Sequence, residues 1–147
     1  MKITICGSSK FRHEMVEYME KLESLGHDVV VHEHYIKSVK GEMPELMERV
    51  NREHAILKRE QNYIKWYHNA IKNSDAILVL NFDKNGIKNY IGGNVLMEIG
   101  FAHVNDKKVF LLNPIPEEVS YSDEIKAMVD EVIGGDLDKI RLTLLPD

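Results

Sequence analysis

Cysteine is almost missing from this 147-residue chain: Cys6 stands alone, so no disulfide can close within it and no CxxC zinc pattern exists. Its place inside the first apolar run reads as a buried structural thiol. Positive charge is also short, 19 Lys and Arg against 24 Asp and Glu, for a net charge of -5. That balance argues against a nucleic-acid-binding domain, which shows a basic face, but leaves room for one phosphate held by local donors. No apolar run exceeds strand length, so no segment spans a membrane and no membrane partner is expected. The chain enters its first strand without a basic n-region, and a cytoplasmic location is the expectation. There is no internal repeat, low-complexity stretch or linker. With 44% hydrophobic and 29% charged residues, the chain is globular and long enough for one sizeable core. A single domain over residues 1–147 is expected.

Four short apolar runs are present. Ile3 to Cys6 stops at Gly7-Ser8-Ser9, and Asp28 to His32 follows a helix stop at Leu25-Gly26-His27, where Gly26 suits the left-handed position after a helix. Ala76 to Leu80 follows Asn73-Ser74-Asp75, and Lys108 to Leu112 is closed by Asn113-Pro114. Runs that are continuously apolar, not alternating, predict strands buried on both faces of a parallel sheet. Residues 140–145 are a further strand candidate. Helical spacing fills the intervals: Phe11 to Leu25, a long stretch from Pro44 to Lys72, Gly93 to Val104, and Ser122 to Val132. Alternating strands and helices predict an α/β fold, a doubly wound, flavodoxin- or Rossmann-like parallel sheet of four to five strands.

The long second pattern places Val50, Leu57, Ile64 and Ile71 seven apart, with His54, Gln61 and His68 on the same heptad spacing. Two readings coexist: a helix covering the sheet, broken near Asn62, or a helix whose far half packs on another subunit. At about 1.5 Å per residue it would run to roughly 40 Å, longer than strands of about five residues can cover. A homodimer or higher homo-oligomer is therefore expected.

In an open parallel sheet, ligands bind beyond the carboxyl ends of the strands at the topological switch point. Three segments should converge there, 7–12, 81–98 and 113–116. The first supplies Gly7, Ser8 and Ser9, with Lys10 and Arg12 adding charge. It reads equally as an anion cradle or as an ordinary capped turn. Neither G-x-x-x-x-G-K-[ST] nor G-x-G-x-x-G occurs. The second supplies Asp83 in a polar loop, then Gly92, Gly93 and Asn94 opening a helix; the third supplies Asn113. Glu98 follows one to two turns into that helix, flanked by Leu96, Met97, Ile99 and Phe101. A carboxylate among apolar neighbours has a raised pKa or needs a partner, and either marks a candidate site. The alternative is a surface glutamate paired with a lysine. Gly100, costing about 1 kcal/mol against alanine in a helix, favours close packing there.

The segments I-C-G-S-S at 5–9, N-S-D-A-I-L-V-L at 73–80, G-G-N-V-L-M-E-I-G-F-A-H at 92–103 and K-K-V-F-L-L-N-P at 107–114 together resemble the nucleoside 2-deoxyribosyltransferase superfamily. They are similar also to its relatives that hydrolyse 2′-deoxynucleoside 5′-monophosphates. The resemblance covers residues 1–114 and centres on E-I-G-F-A. It implies that Glu98 is the nucleophile, attacking the anomeric carbon to form a glycosyl–enzyme ester that water or a second base resolves. It further implies that Ser8, Ser9 and Gly93 hold a 5′-phosphate, and that subunits complete each other's sites. Two positions depart from the pattern. Gly92 stands where the transferases often carry an aspartate. Tyr67 or His68 stands where they carry a second acidic residue, and His68 is a candidate general acid because histidine is the residue type suited to proton transfer near neutrality. Gly92-Gly93 and Glu98 are similar also to the P-G-G-x-G-T-x-x-E motif of cytokinin-activating phosphoribohydrolases, one residue short and without the threonine.

Other constellations are thinner. His32 and His34 alternate along the second strand without a third ligand at zinc spacing, so no metal is expected. Trp66 and Tyr90 are aromatic candidates either for stacking a base or for packing. The expectation is an N-glycosidase or glycosyltransferase acting on a small-molecule nucleoside or nucleoside 5′-monophosphate, with no cofactor. A nucleotide-binding sensor without turnover, and a partner-binding domain, are the other classes.

Overall fold

The computed structural model describes residues 1–42 and 62–140. Its sheet has five strands, β1 (Lys2–Gly7), β2 (Asp28–Val30), β3 (Ala76–Leu80), β4 (Lys108–Leu111) and β5 (Glu131–Val132), in the order β2-β1-β3-β4-β5. Every pairing is parallel. The described helices are α1 (Arg12–Ser24), entered through a 3-10 turn at Ser9–Phe11, α2 (Glu33–Val39), α3 (Tyr63–Lys72), α4 (Gly93–Val104) and α5 (Ser122–Met128). No described helix is long and apolar enough to cross a membrane.

The continuous apolar runs lie where two-sided burial requires them. All five β3 residues are buried, as are the four inner residues of β1. Ile5 is in register with Leu78, and Cys6 with Val79. Thr4 is fully buried yet satisfied, its hydroxyl 2.8 Å from that of Ser74. Gly26 follows α1 at φ 92°, the left-handed conformation that a helix stop of this kind needs.

Four sequence-based expectations change. The strand expected to reach His32 ends at Val30, because the His32 side chain turns back to cap α2 and accept from the His34 backbone N–H. His32 and His34 therefore share a helix start, not a strand face. The helix expected over Ser122 to Val132 ends at Met128, since Val129 is extended (ψ 130°) and leads into β5. The fifth strand is thus Glu131–Val132. Ile140 is buried but lies outside any strand, and residues 141–145 of the expected strand fall outside the described residues. The pattern expected from Pro44 to Lys72 is interrupted at Asn62, which sits at φ 54° in the left-handed region and starts α3. Residues 43–61, with Val50, His54, Leu57 and Gln61, lie outside the described residues.

The sheet order puts the switch point between β1 and β3. β1 leads through α1 to β2 on one side, while β3 leads through α4 to β4 on the other, so their carboxyl ends open a crevice. Asn81, fully buried just past β3, holds the far rim. Its Nδ2 donates to the carbonyls of Asn113 (2.9 Å) and Pro114 (3.0 Å), its Oδ1 accepts from the Asn113 N–H (2.9 Å), and its own carbonyl accepts from Asn113 Nδ2 (3.1 Å). Asn81→Ala removes these part-buried bonds at a cost of about 1–3 kcal/mol, or on the order of 5–10 °C in Tm. Thermal unfolding of the variant at the wild-type midpoint would contradict that role.

Candidate functional site

A cavity of about 550 Å³ occupies the crevice, within the range for small-molecule sites. Its described lining comes from the β1 end (Gly7, Ser8, Ser9), from α2 (Tyr35), from α3 (Tyr63, Ile64, Tyr67), from the loop after β3 (Lys84, Tyr90) and from Gly92 and α4 as far as Phe101.

One end is built to meet an anion. Ser8 caps the 3-10 turn, accepting from the Lys10 N–H at 3.3 Å, and its hydroxyl also accepts from Lys84 Nζ at 2.9 Å. Lys84 owes its position to local chain chemistry. Asn85 and Gly86 both take positive φ (54° and 75°), as a two-residue hairpin turn demands, and Lys84 and Ile87 exchange backbone hydrogen bonds of 3.0 Å across it. The ammonium then lies over the Tyr90 ring, 5.1 Å from its centroid. Tyr90 packs on Gly92, where an added Cβ would come within 2.9 Å of the phenol oxygen. Gly92 starts α4 with no side-chain cap, so the helix presents bare amides to the cavity.

The other end is a carboxylate in a wall of neutral groups. Glu98 is only 7% exposed, facing the cavity from the second turn of α4. Burial pushes the Cys6 thiol well up, and the adjoining Glu98 carboxylate adds to the shift. Burial likewise raises the Tyr67 phenol, reinforced by Tyr35 and Glu98, and raises the Tyr35 phenol, reinforced by Glu98. All three are therefore protonated at neutral pH.

Of the residues read from the sequence, Gly7, Ser8, Ser9, Gly92, Gly93, Asn94 and Glu98 line this one cavity. Asp83, Asn113 and His68 are not in its described lining. Asp83 Oδ1 accepts from the Asn89 N–H (2.9 Å) and shapes the loop, and Asn113 is taken up by Asn81. His68 packs edge-on against Phe101, ring centroids 5.0 Å apart, and at this turn Tyr67 faces the cavity instead. Lys10 and Arg12 are likewise outside the described lining; Arg12 donates to the Ser9 carbonyl at 3.2 Å. Tyr35, Tyr63 and Lys84 were not singled out from sequence. The Asn85-Gly86 dipeptide beside Lys84 is a hairpin-turn signal that could have pointed to one of them. Among the described residues no group of His, Cys, Asp and Glu is arranged to hold a metal ion.

Behind the cavity wall stands an aromatic cluster centred on His32, 4% exposed, with Trp66, His34 and Tyr63 at ring-centroid distances of 4.4, 4.5 and 4.7 Å. His34 Nδ1 lies 2.6 Å from the Tyr63 hydroxyl. His32 Nδ1 accepts from the His34 N–H at 3.1 Å, so His32 carries its proton on Nε2 when neutral. Burial lowers its pKa from 6.5 to about 4, with repulsion from His34 a smaller cause.

No family model matches the chain, and no curated protein matches it. Among solved structures, the CMP N-glycosidase BcmB of Clostridium botulinum superposes over 89% of this chain and 85% of its own, with a TM-score of 0.51 and 15% identity. At that identity the likeness establishes a shared fold.

The His32 cluster makes the cavity wall sensitive to acid. A histidine whose folded pKa lies below its unfolded one binds its proton more readily in the unfolded chain. Stability is therefore lost as pH falls from about 6.5 towards about 4, and the lowered pKa of His34 acts in the same direction. His32→Asn keeps a good N-cap without the titration. Its Tm should depend less steeply on pH over that window than the wild type's, and parallel pH–Tm curves would contradict the assignment.

Proposed function

We propose that this protein cleaves, or transfers across, the N-glycosidic bond of a nucleoside 5′-monophosphate, with Glu98 as nucleophile. The observation that carries the proposal is that one cavity holds an anion-binding end and a buried carboxylate. They are separated by the five helical steps from Gly93 to Glu98, about 7.5 Å of helix, comparable to the reach of a pentose 5-phosphate. The phosphate takes the Ser8 and Ser9 hydroxyls, the Lys84 ammonium and the amides of the α4 start. The anomeric carbon then faces Glu98. A Glu98 oxygen bonds to that carbon as the carbon–nitrogen bond breaks, and the bonding pair leaves with the base, which takes up a proton from water. Water next attacks the same carbon, releasing pentose 5-phosphate and restoring the carboxylate; a second base in place of water gives transfer. The fold shared with a CMP N-glycosidase is consistent with this reading.

The positions where the resembling transferases carry carboxylates hold Gly92 and Tyr67 or His68 here, and they favour a second reading, nucleotide binding without turnover. One experiment separates the two. Purified protein is incubated with a panel of nucleosides and 5′-monophosphates while free base is followed, alongside calorimetric binding. Base release from monophosphates, falling by at least about a thousandfold in Glu98→Gln with the fold intact, is the expected result. Lys84→Met should narrow the binding preference for monophosphates over nucleosides. Binding without base release would support the sensor reading, and a fully active Glu98→Gln would overturn the mechanism.

A further inference from the structure

The carboxylate end of the cavity bears on which sugar the site takes. Tyr35 and Tyr67 line the cavity beside Glu98, and each is buried, 9% and 6% exposed. They come from α2 and α3, so the chain brings three separate helices together to set two phenols next to one carboxylate. Sheet packing alone does not require this; leucine or phenylalanine would fill the same volume without a polar group to satisfy. Protonated through the working range, the phenols offer O–H donors and oxygen acceptors, yet neither competes with Glu98 as a nucleophile.

Stereochemistry then decides what these hydroxyls meet. In a β-nucleoside the base sits on one face of the sugar ring, and a nucleophile that displaces it must approach from the opposite face. The 2′-hydroxyl of ribose lies on that same opposite face, on the carbon next to the one attacked. With a carboxylate oxygen about 3–3.5 Å from the anomeric carbon, groups flanking the carboxylate are the ones within reach of the 2′ position. A 2′-deoxy sugar presents only hydrogen there and leaves buried phenol hydroxyls facing a carbon.

Resting on the glycosidase reading above, we infer that Tyr35 and Tyr67 read the 2′-hydroxyl, and that the site takes ribonucleoside and not 2′-deoxyribonucleoside 5′-monophosphates. A site built to hydrogen-bond a substrate hydroxyl rejects the analogue lacking it strongly, by as much as ~10⁴-fold where the site's polar groups are left unpaired. Here the two phenols adjoin and partly satisfy each other, so the expected discrimination is smaller, at least about a hundredfold in kcat/KM.

The test compares CMP with dCMP, and AMP with dAMP, on the wild type, Tyr35→Phe and Tyr67→Phe. The expected result is a wild-type ribo-to-deoxy ratio of at least about 100 that falls at least tenfold in one or both variants. A ratio near one, a preference for the deoxy substrate, or a ratio untouched by both substitutions would overturn the inference while leaving the glycosidase reading standing. If no base is released from any substrate, the glycosidase reading fails separately. Calorimetry of CMP against dCMP then decides the inference on binding alone: tighter CMP binding that weakens in the phenylalanine variants supports it, and equal affinities overturn it. If neither variant folds, the wild-type ratio carries the decision.

Discussion

Placing a carboxylate in a protein interior is costly unless its surroundings compensate, and the crevice is arranged around one that is 7% exposed. Glu98 sits on the second turn of α4, the helix that follows the switch strand β3, and faces back across the end of β1. That position depends on parallel pairing of β1 with β3 at the register Cys6 to Val79, because this register sets the Cys6 thiol beside the carboxylate. It depends equally on α2 and α3 bringing their phenols to the same end. The fold thus supplies neutral hydrogen-bonding groups where an ordinary core would place hydrocarbon.

The opposite end of the cavity follows from local backbone chemistry. A serine cap on a 3-10 turn, an Asn-Gly hairpin turn and an uncapped helix start converge on Ser8, Lys84 and Gly93. Each is a short-range device, and the sheet topology brings them together. Hydrogen bonds from Asn81 to the segment after β4 and from the Tyr121 hydroxyl to the Ile91 carbonyl hold the loops that carry them.

Much of this was legible in the sequence, for definite reasons. Strands buried on both faces leave unbroken apolar runs, so β1, β3 and β4 were plain. β5 was not, since it is two half-buried residues, Glu131 and Val132, paired among the described residues with β4 alone. α2 was hidden because the apolar run from Asp28 leads straight into His32, and a histidine cap lacks the Ser, Thr, Asp or Asn signature of a helix start. Glu98, Ser8 and the paired glycines were readable because the residues around them are local in sequence. Tyr35, Tyr63 and Lys84 reach the cavity only through tertiary packing. The choice between Tyr67 and His68 was in principle decidable. Tyr63, Tyr67 and Ile71 repeat at the spacing of the buried face of α3, which turns His68 away towards Phe101.

The central claim, a covalent step at Glu98, is tested most directly by trapping the intermediate. A 2′-deoxy-2′-fluororibonucleoside 5′-monophosphate, whose fluorine stands in for the 2′-hydroxyl on the attacked face, slows both steps by destabilising the oxocarbenium-like transition state, which lets a glycosyl–enzyme ester persist through an acid quench. Intact-mass and peptide mapping of the quenched protein should find one fluorinated pentose phosphate attached, on the peptide containing Glu98. An adduct on another residue, or base release from this analogue with no adduct at all, would contradict the account.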